Sequence, residues 1–174
     1  MVHVYTGKGK GKTTAALGLA LRAAGHNSHV EIIQFMKKPR SSGEKNLIER
    51  MISKGIKNIN LTRFGTKKPV MKKDRLAIHR EQALKGLACV KRVLKNGKCD
   101  LLVLDEVNVA ASYGLIRTGE LTGILKKYGK KTEIILTGIN CPEEIIKHAD
   151  YVTQMKEVKH PFRNGVPARK AIEY

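Results

Sequence analysis

The chain has 174 residues, enough for one domain (1–174) that buries a sizeable core without disulfide or metal staples. Lysine and arginine outnumber aspartate and glutamate by 34 to 15, a formal charge of +19, which calls for an anionic partner. No apolar run is long enough to cross a bilayer and the first strand pattern starts at residue 2 without a leader, so a soluble cytoplasmic protein with no membrane partner is expected.

Val2 to Tyr5 is a short β-branched and aromatic run that stops at Thr6-Gly7 and gives way to Lys8-Gly9-Lys10-Gly11-Lys12-Thr13-Thr14. This reads as strand, phosphate loop and helix start. Glycines 7, 9 and 11 let backbone N–H groups approach an anion, and the following helix aims the positive end of its dipole at the same place. Lys12 supplies a point charge for phosphate oxygens, and the Thr13 hydroxyl is placed to ligate magnesium carried by a nucleoside triphosphate. The usual spacing would put the first glycine at Thr6. Either Thr6 stands in for it, or the loop is one residue short and holds the triphosphate in an unusual way; the second reading is preferred.

Thr13 to Ala24 carries apolar residues on nearly every face and ends at Gly25. A second strand is expected over His29 to Phe35, a helix from Gly43 to about Lys54, a third strand over Asn58 to Phe64, a basic loop from Gly65 to Lys73, and a long helix from Asp74 to Lys95. Asp100 to Glu106 is then an unbroken apolar strand running into two carboxylates. A parallel strand covered on both faces has this pattern, with charge appearing only where it leaves the sheet; an acidic helix cap is the plainer alternative. Asp105 and Glu106 are candidate magnesium ligands opposite Thr13. Further helices are expected through Ala110 and over Thr118 to Tyr128, a fifth strand over Lys131 to Gly138, a short helix over Pro142 to His148 and a last strand over Tyr151 to Val158. The rhythm predicts a three-layer, doubly wound α/β domain with a mainly parallel sheet, of the P-loop NTPase (RecA-like) kind, with phosphate loop, carboxylates and the Thr137–Cys141 turn at the carboxyl ends of the strands.

Of the three cysteines, Cys89 and Cys99 read as buried hydrophobes, and Cys141 falls near the expected site without an assigned chemical role. His26 and His29 read as surface groups, His79 and His148 as helix residues for which capping suffices, and His160, before a proline in a fixed loop, as a candidate site residue. The lysine pairs at 37–38, 67–68, 72–73, 126–127 and 130–131 are spread over several loops and helix ends with no accompanying aromatic pattern. They describe a solvated surface attractive to an acidic protein more than a polynucleotide groove, so nucleic acid is not the expected partner.

Taken in order, Tyr5 to Gly18, Arg22 to His26, Gln34-Phe35, Gly43-Glu44, Leu102 to Asn108, Leu136 to Gly138, Val158 to Phe162 and Ala171 to Tyr174 resemble the P-loop family of ATP:corrinoid adenosyltransferases over almost the whole chain. The resemblance implies transfer of the 5′-deoxyadenosyl group of ATP to the Co(I) of a reduced corrinoid, with release of triphosphate, in adenosylcobalamin biosynthesis or salvage. In that family ATP lies in the reverse sense, so that the ribose 5′-carbon faces the second substrate. By this likeness Gly7 to Thr14 hold the triphosphate, Lys12, Thr13 and Glu106 are catalytic, Thr13 and Glu106 hold magnesium with Asp105 as a further candidate, and Arg22 and His160 lie near the nucleotide. Phe64 matches a position that helps exclude the corrinoid's lower ligand, although it reads equally as core. The family also implies a flavodoxin-like electron donor and a homodimer. Better-known relatives carry an N-terminal extension that helps cover the site, and relatives often have a tryptophan in the loop after the third strand; this sequence opens on the first strand pattern and has no tryptophan, so how the corrinoid is enclosed is not carried over from the resemblance. A RecA-like, nucleic-acid-stimulated ATPase is the principal alternative and would yield ADP; a small-molecule kinase is a third.

Overall fold

The computed structural model describes residues 1–37, 42–66 and 76–173. Six strands form one sheet: β1 Val2–Thr6, β2 Val30–Phe35, β3 Ile59–Phe64, β4 Leu101–Asp105, β5 Glu133–Thr137 and β6 Tyr151–Gln154, in the order β3-β2-β4-β5-β1-β6. Every pairing is parallel, so the expected mainly parallel sheet is wholly so among the described strands. The helices are α1 Lys12–Gly25, α2 Gly43–Ser53, α3 Leu76–Asn96, α4 Val107–Ser112, α5 Thr118–Tyr128 and α6 Glu143–Ile146.

Alternation along the strands builds two cores. In β4, Leu101 and Val103 point to one face, where Ala16, Ala20 and Ala24 of α1 and Ile48 of α2 pack. Leu102 and Leu104 point to the other, against Leu87, Val90 and Leu94 of α3 and Leu121 and Leu125 of α5. Continuous apolar character is what a strand covered on both sides requires. The helix α1 is not apolar all round, as its composition implied: its buried residues are the three alanines four apart, while Leu21 is exposed. That stripe of small side chains brings the helix backbone, and the loop before it, close to the sheet.

Most boundaries move by a residue or two from expectation, but β6 stops at Gln154 instead of Val158. Met155 turns its N–H to the Thr6 carbonyl (2.8 Å) and its own carbonyl to the Gly9 N–H (2.7 Å), so that stretch braces the phosphate loop. Cys89 and Cys99 are buried as expected. His79 is not a surface or capping residue; it is buried on α3, with Nε2 3.3 Å from Thr66 Oγ1. The start of α3 expected at Asp74, the lysines at 38, 67–68 and 72–73, and most of the basic 65–73 loop lie outside the described residues.

Candidate active site

The loop between β1 and α1 is held in shape by glycine where nothing else fits. Gly7 and Gly11 have φ of 92° and 116°, in the left-handed region. A Cβ on Gly7 would lie 2.4 Å from the Met155 carbonyl oxygen, and one on Gly9 2.8 Å from that of Lys156. Lys12 Nζ donates to the carbonyls of Gly7 and Gly9 at 2.7 Å each, which keeps its charge within the curve of the loop. Burial lowers the Lys12 pKa, and the carboxylates of Glu106 and Asp105 oppose that shift.

At the carboxyl end of β4, Asp105 is fully buried. Its Oδ1 accepts from the hydroxyls of Thr13 (2.7 Å) and Thr137 (2.6 Å), and its Oδ2 from Gln34 Nε2 (3.0 Å), with Lys37 Nζ at 3.6 Å. Both oxygens are therefore engaged. Thr13 gives its proton to Asp105 and turns its oxygen lone pairs outward. Glu106 follows in a left-handed conformation (φ 62°) at the start of α4, where its N–H donates to Thr137 Oγ1 (3.0 Å). Its side chain is 27% exposed and 4.0 Å from Lys37. Burial raises the Glu106 pKa; Lys37 and Lys12 pull it down, and Asp105 adds to the rise.

These groups open onto a cleft of about 690 Å³, lined by residues 8–14 of the loop and by Lys37, Glu44, Glu106 and His160 among others. The C-terminal stretch Ala171–Glu173 forms another part of its wall, and Lys10 Nζ donates to the Ile172 carbonyl (3.1 Å). His160 lies on the lining, where its Nδ1 accepts from the Phe162 N–H (3.2 Å) ahead of a 3-10 turn over Pro161–Asn164. Arg22 sits exposed in the last turn of α1, outside the lining. Phe64 packs against the α3-side core and also lies outside it. A second cleft, about 470 Å³, flanks the loop on its Gly7 side and contains Cys141, whose thiol burial pushes up to about 12.

The strands thus bring together Lys8 to Thr14, Asp105, Glu106 and His160, with Gly7 shaping the loop from behind. Lys37, Gln34 and Thr137 were not singled out by spacing as partners of the carboxylates. Lys37 had a faint signal as a cation just beyond a strand end; the Gln34 contact depends on β2 and β4 lying side by side, with Gln34 and Asp105 as register partners.

Fold and site together define an α/β nucleotide-binding protein of the P-loop NTPase kind. The whole sequence, residues 1–174, matches the family model described as ATP:corrinoid adenosyltransferase BtuR/CobO/CobP. A corrinoid adenosyltransferase of a Sinorhizobium species is 33% identical over 175 residues, covering all of this chain and 80% of that protein. The corrinoid adenosyltransferase of Escherichia coli (strain K12) is 33% identical over 175 residues, and that named CobA of Salmonella typhimurium 33% over 180; each match covers all of this chain and 85% of the relative. The chain belongs to the ATP:corrinoid adenosyltransferase family.

Proposed function

We propose that the chain moves the 5′-deoxyadenosyl group of ATP onto the cobalt of a Co(I) corrinoid. The Co(I) electron pair forms the bond to the ribose 5′-carbon, the bond from that carbon to the α-phosphate oxygen breaks, and inorganic triphosphate leaves with the pair. The observation that carries this reading is a phosphate cradle built for charge, with Lys12, loop N–H groups and the Thr13–Asp105 and Glu106 oxygens, facing a cleft whose described lining has no cysteine, serine or tyrosine. A metal nucleophile needs no activated side chain; it needs alignment and a stabilised leaving group.

Lys12 and the loop amides meet the charge that develops on the triphosphate. Magnesium fits the donor set. Among the described residues no group of three or more His, Cys, Asp or Glu is arranged to hold a metal, whereas one hydroxyl and one carboxylate, completed by water and phosphate oxygens, is the kind of site this ion takes. Thr13 and Glu106 would hold it, and it would supply further neutralisation of the leaving triphosphate. Asp105, with both oxygens occupied, acts through Thr13 by fixing the direction of its hydroxyl. His160 stands on the lining as a nucleotide contact; Arg22 would reach the nucleotide only with a change in the α1 end.

A homodimer and an acidic flavodoxin-like electron donor complete the reading. Anaerobic mixing of the protein with magnesium-ATP and chemically reduced corrinoid tests it. The corrinoid spectrum should change to that of the alkylated form, with triphosphate as the phosphate product. Recovery of ADP without a cobalt–carbon bond would favour an ordinary ATPase.

A further inference from the structure

A line of buried and half-buried polar side chains starts at the phosphate loop and ends on a different wall of the same cleft. Thr13 donates to Asp105, and Asp105 accepts from Gln34, which is itself fully buried on β2. Gln34 Oε1 accepts from Arg63 Nε on β3 at 2.6 Å. The far end of the Arg63 guanidinium donates to Ser42 Oγ and to Glu44 Oε1 (3.2 Å), at the N-terminus of α2. Gly43 and Glu44 line the cleft that the loop opens into. Burial pushes the Glu44 carboxyl up, but its own backbone hydrogen bond, Ser42 and Arg63 outweigh that and leave its pKa below the usual glutamate range.

The chain has only one sense. Asp105 as a carboxylate accepts and Arg63 only donates, so the Gln34 amide must present its NH₂ to the first and its oxygen to the second. A swapped amide would leave the buried Asp105 carboxylate and the Arg63 guanidinium facing groups of the same hydrogen-bonding kind, which is strongly disfavoured for groups out of reach of water. The amide is therefore locked, and with it the relative placement of three strand ends and the first turn of α2.

We infer that Gln34 and Arg63 are positioning residues which couple occupancy of the phosphate loop to the placement of the Gly43–Glu44 wall, the wall available to the second substrate. A cation drawing on the Thr13 oxygen polarises the hydroxyl and strengthens its donation to Asp105. The adjustment passes through the oriented amide to Arg63 and Glu44, because each link is a hydrogen bond whose donor and acceptor sense is fixed by the charged groups at its two ends. The coupling is reciprocal, so a molecule resting on Glu44 tightens the nucleotide by the same factor. This inference rests on the reading of the cleft as an ATP and corrinoid site, but its test does not need the corrinoid.

Hydrogen exchange of the α2 amides is followed in the full chain with and without magnesium-ATP, alongside calorimetric titration of the nucleotide. In the unsubstituted protein, magnesium-ATP should slow exchange over residues 43–50. In Gln34→Met, which keeps the shape and loses both polar ends, nucleotide should still bind and α2 should no longer respond. Arg63→Met should give the same result from the other end. Gln34→Glu, which can still accept from Arg63 but no longer donates to Asp105, provides a third variant should either of the others fail to fold. In the transfer assay the Gln34→Met KM for the corrinoid should rise about tenfold, the scale of an ordinary coupling, with a smaller change in KM for ATP. A residue that merely supports the fold would lower the melting temperature and leave the KM ratio and the α2 response intact. Unaltered α2 protection by nucleotide in the folded variants, or none in the unsubstituted protein, would overturn the coupling. Failure to alkylate any corrinoid would instead strike at the proposed reaction and leave the exchange result standing.

Discussion

Lys12 holds its charge against two loop carbonyls and Thr13 hangs on Asp105, so each side chain has one place to be. Lys12→Ala and Thr13→Ala should each lower kcat by about 10²–10³-fold, the scale of losing one preorganised charge-stabilising group; Cys141→Ala, across the loop in the second cleft, should leave steady-state rates unchanged. Glu106 makes a different prediction. Its folded pKa lies above the ordinary value near 4.5 because burial disfavours the ionised form. The folded state therefore binds the proton more tightly than the unfolded chain, and stability falls as pH rises from that ordinary value through the raised one. Glu106→Gln should remove this slope and unfold at higher temperature near neutral pH in the absence of ligand, while losing magnesium-dependent turnover. Thermal melts across pH 4 to 8 of the two proteins would check it; parallel curves would contradict the assigned burial penalty. The phosphate loop and Glu106 were legible as residues because glycine spacing and a strand ending in charge each have local causes. The Thr137–Cys141 turn was expected beside them and Gln34 fell in the resemblance, but the pairing of Gln34 and Thr137 with Asp105 was not legible, since it arises only from residues 71 and 32 positions away meeting Asp105.

Among elements, the phosphate loop and α3 each hold a glycine that has no room for a methyl group. Gly9→Ala would drive a methyl into the Lys156 and Met155 carbonyls, and backbone cannot step aside cheaply. The expected outcome is a displaced loop with about 10²-fold lower kcat/KM for ATP, the size of effect a misplacement near 1 Å produces, and little change in far-ultraviolet circular dichroism. On the opposite face, a Cβ at Gly86 of α3 would meet Phe35 Cε1 at 2.6 Å. Gly86→Ala should therefore cost about 1–3 kcal/mol by overpacking, measured in urea, and more than it affects nucleotide binding. Alternating hydrophobic runs with helix starts and stops made the order of elements readable in advance. One boundary was misread for a physical reason: Met155 to Val158 has the composition of a strand, but the N–H and carbonyl of Met155 are claimed by Thr6 and Gly9. In α1 the apolar residues on nearly every face resolve into a buried alanine stripe, with Leu17 and Leu19 partly buried beside it.

Across the molecule, the chain carries a formal charge of +19, and several of its described lysines lie away from the site. The described strands point their carboxyl ends toward the cleft, so Lys126 and Lys127 in the last turn of α5, and Lys130 and Lys131 in the turn before β5, lie at the opposite end of the sheet. On the proposed reading an acidic electron donor would approach the cleft end, where Lys37 faces the carboxylates and exposed Lys159 adjoins His160. Reversing the four distal lysines to glutamate should leave transfer from a reduced flavodoxin-like donor unchanged, whereas Lys159→Glu should raise KM for that donor about tenfold at low salt and leave turnover of chemically reduced corrinoid alone. Equal effects of the two changes would argue for attraction by net charge without a docking site. The bracing of the phosphate loop by Met155 has one more outcome. Because β1 has only β6 between it and solvent, whatever grips the loop also pins the outermost strand and the arm beyond it. Nucleotide should then slow the peeling of that arm, so that the rate at which a protease clips it becomes a gauge of how full the cradle is.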